Sequence, residues 1–114
     1  VRYFHGGYPG LGPGDLIRPA ISLGIEKTKT PNQSRYNPRR VYVTTTRWYA
    51  ELFASGSSGD VYEVKPVGRA IPDLDAKGSF HCSCAEVVAV LAEHPVPMPE
   101  RARGLLPAEQ RRTR

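Results

Sequence analysis

The chain has 114 residues, a formal charge of +5 and 39% hydrophobic residues. That is enough for one modest core and one domain. Its 11 Gly and 11 Pro argue against a long-helix bundle and for short strands joined by turns. No stretch nears the roughly 20 apolar residues of a membrane-spanning helix, and the opening Val1-Arg2-Tyr3-Phe4-His5 has no signal-peptide pattern.

Tyr3-Phe4-His5 is aromatic and β-prone. The Gly and Pro residues from Gly6 to Gly14 are expected to form a loop outside any regular element. Asp15-Leu16-Ile17 resumes as a short extended segment. Lys27 to Pro38 is polar, basic and turn-rich, and predicts a mobile loop. Val41-Tyr42-Val43-Thr44-Thr45-Thr46 is the clearest strand, β-branched and aromatic throughout. A short helix follows over about residues 47–54, with Trp48 and Leu52 sharing one side and Ser55 to Gly59 ending it. Asp60 to Val67 alternates as a strand. Ala70 to Gly78 is a loop carrying Asp73 and Asp75. Ser79 to Ala92 gives one or two strands, of which Val87 to Leu91 looks the most buried. Beyond His94 the Pro-spaced, Arg-rich end predicts a tail. The expected fold class is α+β, with a domain over residues 1–94 and a Pro/Arg-rich tail over 95–114.

Charge is uneven along this order. Lys27, Lys29, Arg35, Arg39, Arg40 and Arg47 stand together without an acid, and the tail from Glu100 to Arg114 holds five Arg against two Glu. Such a balance draws phosphates, nucleotides or RNA, although a general solubilising bias reads the same way. Cys82 and Cys84 share a face if they lie on one strand. One residue of separation disfavours a disulfide, and a zinc site would need more soft ligands nearby. No phosphate-loop, dinucleotide or G-x-S-x-G motif is present.

Four features occur in order: Tyr3-Phe4-His5-Gly6; Gly14-Asp15-Leu16; Val41-Tyr42-Val43-Thr44 followed by Trp48-Tyr49-Ala50-Glu51-Leu52; and Val61 to Gly68 leading into Ile71-Pro72-Asp73. Ser79-Phe80-His81-Cys82-Ser83 adds a fifth piece. Over about residues 2–92 this resembles the rifamycin ADP-ribosyltransferase family, small members of the diphtheria-toxin-like (His–Tyr–acid) ADP-ribosyltransferases. The resemblance implies a small split β-sheet domain with short helices. It also implies an enzyme that uses NAD as co-substrate, without a metal.

By the same resemblance, His5 would hold NAD ribose hydroxyls, Gly6 would meet the nicotinamide carboxamide, and Tyr42 would stack on the nicotinamide ring with Phe4 beside it. Asp73 would stabilise the cation-like ribose, with Asp75 as the fallback acid. Arg2, Arg18 and Arg47 are candidates for the pyrophosphate. Trp48 and Leu52 read as core, Glu51 as structural or a rim contact, and His94 as a plain loop residue.

The chain departs from the family in its basic 27–40 segment and its C-terminal end, where the acceptor site is expected to form. The resemblance therefore carries the donor further than the acceptor. A basic rim suits nucleic acid or protein as acceptor, as in toxin-type relatives, with a rifamycin-type small molecule next. The start without Met fits the excised toxin end of a secreted bacterial effector acting in the cytoplasm, with an immunity protein as partner. Two rivals remain: a tRNA 2′-phosphotransferase, whose Arg and His pattern is not evident, and a non-enzymatic basic RNA-binding module using Tyr36, Tyr42 and Tyr62.

Overall fold

A computed structural model describes residues 1–23 and 37–101. The basic 27–36 stretch, with Tyr36, and the tail from 102 onward lie outside the described residues. In chain order the elements are β1 (Tyr3–Gly7), β2 (Leu16–Ile17), a 3-10 turn (Ala20–Leu23), β3 (Val41–Thr44), α1 (Arg47–Ser57), β4 (Asp60–Val67), β5 (Ile71–Pro72), β6 (Ser79–Cys82) and β7 (Cys84–Ala92). The class is α+β. The described strands form one antiparallel seven-stranded sheet in the order β2-β7-β4-β1-β3-β6-β5. Among the described residues no helix is long and apolar enough to cross a membrane.

The sheet is narrowest at its middle. β1 pairs with β4 along its whole length, from Tyr3↔Val64 to Gly7↔Asp60, but with β3 only at Phe4↔Thr44. Past that point the strands diverge. Two half-sheets result, β2-β7-β4-β1 and β3-β6-β5. Of the crossings between them, the one from β6 to β7 takes a single residue, Ser83, since β6 ends at Cys82 and β7 begins at Cys84. A one-residue step between strands four places apart in the order requires the sheet to fold back on itself. Cys82 and Cys84 thus belong to different strands. Cys82 is buried and Cys84 half-buried, and both thiols are free.

Two cores follow from strand alternation. Between the half-sheets lie Ile17, Val41, Val43, Tyr62, Val64, Cys82, Ala85 and Val87, with Tyr3 and Phe80 packed against them. Under α1, Phe4, Val61 and Val96 pack with the helix's own Ala50 and Ala54. The helix buries its small residues, Ala50 and Ala54, rather than Trp48 and Leu52, which stay half-buried. Its backbone comes too close to β1 for a larger side chain.

Three further expectations are corrected. Gly6 and Gly7 belong to β1 and not to the following loop. A Cβ on Gly6 would collide with the Ala50 carbonyl of α1, so the residue is glycine because a helix lies on it. The Val87–Leu91 run is not uniformly buried: Val88 is 50% exposed. Register shifts between Val61 and Tyr62 and between Glu63 and Val64 leave Leu91 and Val88 of β7 without partners on β4 and turn alternate residues outward. The helix runs three residues beyond Ala54, to Ser57, and closes at Ser58, which adopts a left-handed conformation (φ 56°).

Candidate functional site

The divergence of β1 from β3 opens a cleft of about 1190 Å³. His5 sits at its apex. Where the next ladder bond between these strands would form, the His5 ring meets the Tyr42 carbonyl instead, Nδ1 to O at 2.7 Å. Only an N–H can pair with a carbonyl, so Nδ1 carries the proton and Nε2 of the neutral ring is an acceptor. Burial pushes the His5 pKa down, and the bond to the Tyr42 carbonyl opposes it in part. The ring lies over Gly7, where a Cβ would stand 2.6 Å from Nε2. Both glycines after His5 are therefore explained by close packing, one against a helix and one against the imidazole.

Tyr42 is half-buried on β3, between two core valines. Its hydroxyl accepts the Asn37 amide (2.8 Å), and its ring lies 5.5 Å from that of His81. Asp73 opens the turn after β5. Its Oδ1 accepts the Asp75 amide (3.0 Å), and its own amide donates to Ser79 O (2.8 Å). This is the behaviour of a turn aspartate, yet Asp73 and Asp75 both line the cleft. Thus His5, Gly6, Tyr42, Phe4, Arg18, Asp73 and Asp75 all border one cavity. Phe4 does so from within the core under α1, at 6% exposure.

The basic candidates separate. Arg18 lines the cleft. Arg2 instead pairs with Glu63 (2.8 Å) above the Phe4 ring, and Arg47 pairs with Glu51 (3.4 Å). Sequence reasoning missed two groups. The first is Tyr49, Leu52 and Phe53, an apolar stripe of α1 along the cleft wall. Tyr49 and Phe53 meet edge to face at 5.0 Å. Burial raises the Tyr49 pKa, and the Asp73 charge adds to it. The i, i+3, i+4 spacing of this stripe was the signal for it. The second is Arg40, also on the wall, whose only sequence signal was membership of the basic cluster.

Tyr62 is fully buried, which removes it as an exposed stacking platform for RNA. Its hydroxyl donates to Tyr8 O (2.6 Å) and accepts the Leu11 amide (3.2 Å). Next to it, buried Asp60 accepts the Gly10 amide (3.0 Å), the His94 amide (2.7 Å) and the His94 ring (2.8 Å). Burial alone would raise the Asp60 carboxyl. The Gly10 amide and the His94 ring and amide outweigh that and hold it below its ordinary value. His94 is thus tied into the fold, and β4 clamps the Gly-rich segment whose Tyr8 and Pro9 border the cleft.

Among the described residues no group of three or more His, Cys, Asp or Glu side chains could hold a metal ion. No protein-family model matches the chain, and no curated protein matches it by sequence.

Proposed function

We propose that the chain is an ADP-ribosyltransferase-like domain that moves ADP-ribose from NAD to an acceptor. The observation that carries the reading is the convergence on one cleft of an imidazole, a phenol and a carboxylate from positions 5, 42 and 73. The narrowed sheet at the β1–β3 joint supports a split-sheet fold of that kind. The cavity's size also fits: small-molecule pockets run about 300–1,000 Å³, so 1190 Å³ leaves space for a dinucleotide and a second reactant.

The chemistry follows from the groups available. Neutral His5 presents an acceptor nitrogen suited to a ribose hydroxyl. Tyr42 and Tyr49 offer aromatic surface for a flat ring. The bond from the ribose C1′ to nicotinamide breaks with its electron pair leaving on nicotinamide. A bond forms from the acceptor's nucleophile to C1′, and that nucleophile gives up its proton. Between these events C1′ carries positive charge. A carboxylate at Asp73 favours that charge only as it develops, which raises turnover rather than affinity. Asp75, on the same turn, is the alternative acid. The positive balance of the chain keeps nucleic acid or protein first as acceptor, and the apolar α1 wall suits a rifamycin-type small molecule next. Cytoplasmic action as part of a delivered effector, with an immunity protein, belongs to the first of these.

The test is incubation with NAD, following nicotinamide release, and calorimetry for affinity. Asp73→Asn is expected to lower turnover about 100-fold or more with little change in NAD affinity, whereas His5→Ala weakens both. Label from NAD then identifies the acceptor. A chain that neither binds NAD nor releases nicotinamide overturns this reading and favours the non-enzymatic basic RNA-binding module.

A further inference from the structure

Arg40 is an unusual cation. It is half-buried on the cleft wall, and its guanidinium is held from three directions. Nε donates to His81 Nδ1 (3.0 Å), Nη1 to Ser83 Oγ (3.4 Å) and Nη2 to the His81 carbonyl (3.4 Å). All three acceptors are uncharged. Arg2 and Arg47 each have a carboxylate partner, while Arg40 has none among the described residues. A planar fork fixed in a cavity wall by neutral groups keeps its full charge and has N–H groups to spare, the arrangement that recognises a phosphate.

His81 fixes that fork from behind. It is absent from the cleft lining, and as acceptor its Nδ1 must be unprotonated. The charged or titratable groups facing it among the described residues are Arg40 and Tyr42 from the β3 side and Asp73 from the turn after β5. Burial and then the Arg40 charge lower its pKa, while Asp73 opposes them. Protonation would remove the acceptor and set two cations side by side, releasing Arg40 from its place.

We propose that Arg40 is the phosphate-binding side chain of the cleft and that His81 is its positioning residue. Under the reading above, which this inference deepens, the phosphate is the diphosphate of NAD or a phosphate of the acceptor. The site takes a phosphate or diphosphate group in either case.

The test uses inorganic pyrophosphate with the whole chain. In the wild type, added pyrophosphate shifts the Arg40 side-chain Nε resonance saturably. Arg40→Gln weakens binding about tenfold. His81→Asn keeps an acceptor near the Nδ1 position and retains neutral-pH affinity, whereas His81→Leu loses it. On acidification through the His range, wild-type affinity falls more steeply than that of His81→Asn. An Arg40→Gln protein that binds pyrophosphate like the wild type, or a wild-type shift confined to Arg18, overturns the assignment to Arg40. Equal pH slopes in wild type and His81→Asn overturn the role of His81. Calorimetry with NAD separates the sources: weakened NAD binding in Arg40→Gln assigns the NAD diphosphate, and unchanged NAD binding with lost pyrophosphate binding assigns the acceptor. Pyrophosphate bound through Arg40 by a chain that ignores NAD refutes the transferase and leaves the phosphate site standing.

Discussion

Tyr62 shows how one hydroxyl serves the cleft from a distance. It is fully buried, yet it bonds both the Tyr8 carbonyl and the Leu11 amide, and so fixes a glycine-rich segment with little packing of its own. Tyr62→Phe preserves the ring's place in the core but leaves both backbone groups without this partner. The expected cost is about 1–3 kcal/mol, read as a lower denaturant midpoint, with faster proteolytic cutting between residues 8 and 15. Unchanged stability and cutting would mean that the Asp60 bond to Gly10 and the Gly14 and Asp15 bonds to Val87 hold the segment without it. From sequence, Tyr62 sat in an alternating strand and was equally readable as an exposed aromatic. The register shifts in β4–β7 that bury Val61 and Tyr62 together arise from pairing with a distant strand, which a single strand's pattern does not encode.

At the scale of elements, α1 and β1 are matched by what they lack. Gly6 on one side and Ala50 and Ala54 on the other allow the helix backbone to rest on the strand. Gly6→Ala places a methyl against the Ala50 carbonyl and must displace the helix and the cleft wall it carries. A loss of about 3 kcal/mol or more, or failure to fold, is expected. Gly10→Ala meets no atom within 4 Å and has only its positive φ (94°) to contend with, so it costs about 1 kcal/mol. Comparing the two urea midpoints checks this ordering. At the other end of the helix, Ser58 closes it with φ 56°. Ser58→Gly relieves that conformation and is expected to raise stability by about 0.5–1 kcal/mol. A midpoint that falls instead would show that the Ser58 side chain has a stabilising role. Strands β3 and β4 were legible because their β-branched and alternating residues carry a local signal. The helix was located, but its buried face was misjudged, because large apolar side chains were favoured where the strand's glycine selects small ones.

For the whole molecule, the sheet's fold-back at Ser83 brings His5 and His81, far apart in sequence, into half-buried places beside one cleft. Nothing local predicts that corner: the order of motifs was readable from the residues themselves, whereas a split sheet was expected only through the family resemblance. The two histidines give the molecule a common acid response. Burial holds each below the ordinary histidine pKa, against the Tyr42 carbonyl in one case and together with Arg40 in the other. The unfolded chain therefore takes up protons first as pH falls through about 6.5, and stability declines there because the unfolded state binds more protons. The decline continues until the folded-state values are reached. Asp60 acts in the same direction but in a lower range: its lowered carboxyl stabilises the fold above the ordinary carboxylate range, and that contribution is lost as pH falls through that range. Two separate acid losses are expected in urea midpoints measured from pH 8 to pH 3. Replacing His81 with Asn should shrink the upper one and leave the lower one in place. An upper loss of undiminished size in His81→Asn would mean that His5 alone accounts for it, and a midpoint that rises between pH 7 and pH 5.5 would contradict the neutral state assigned to both rings.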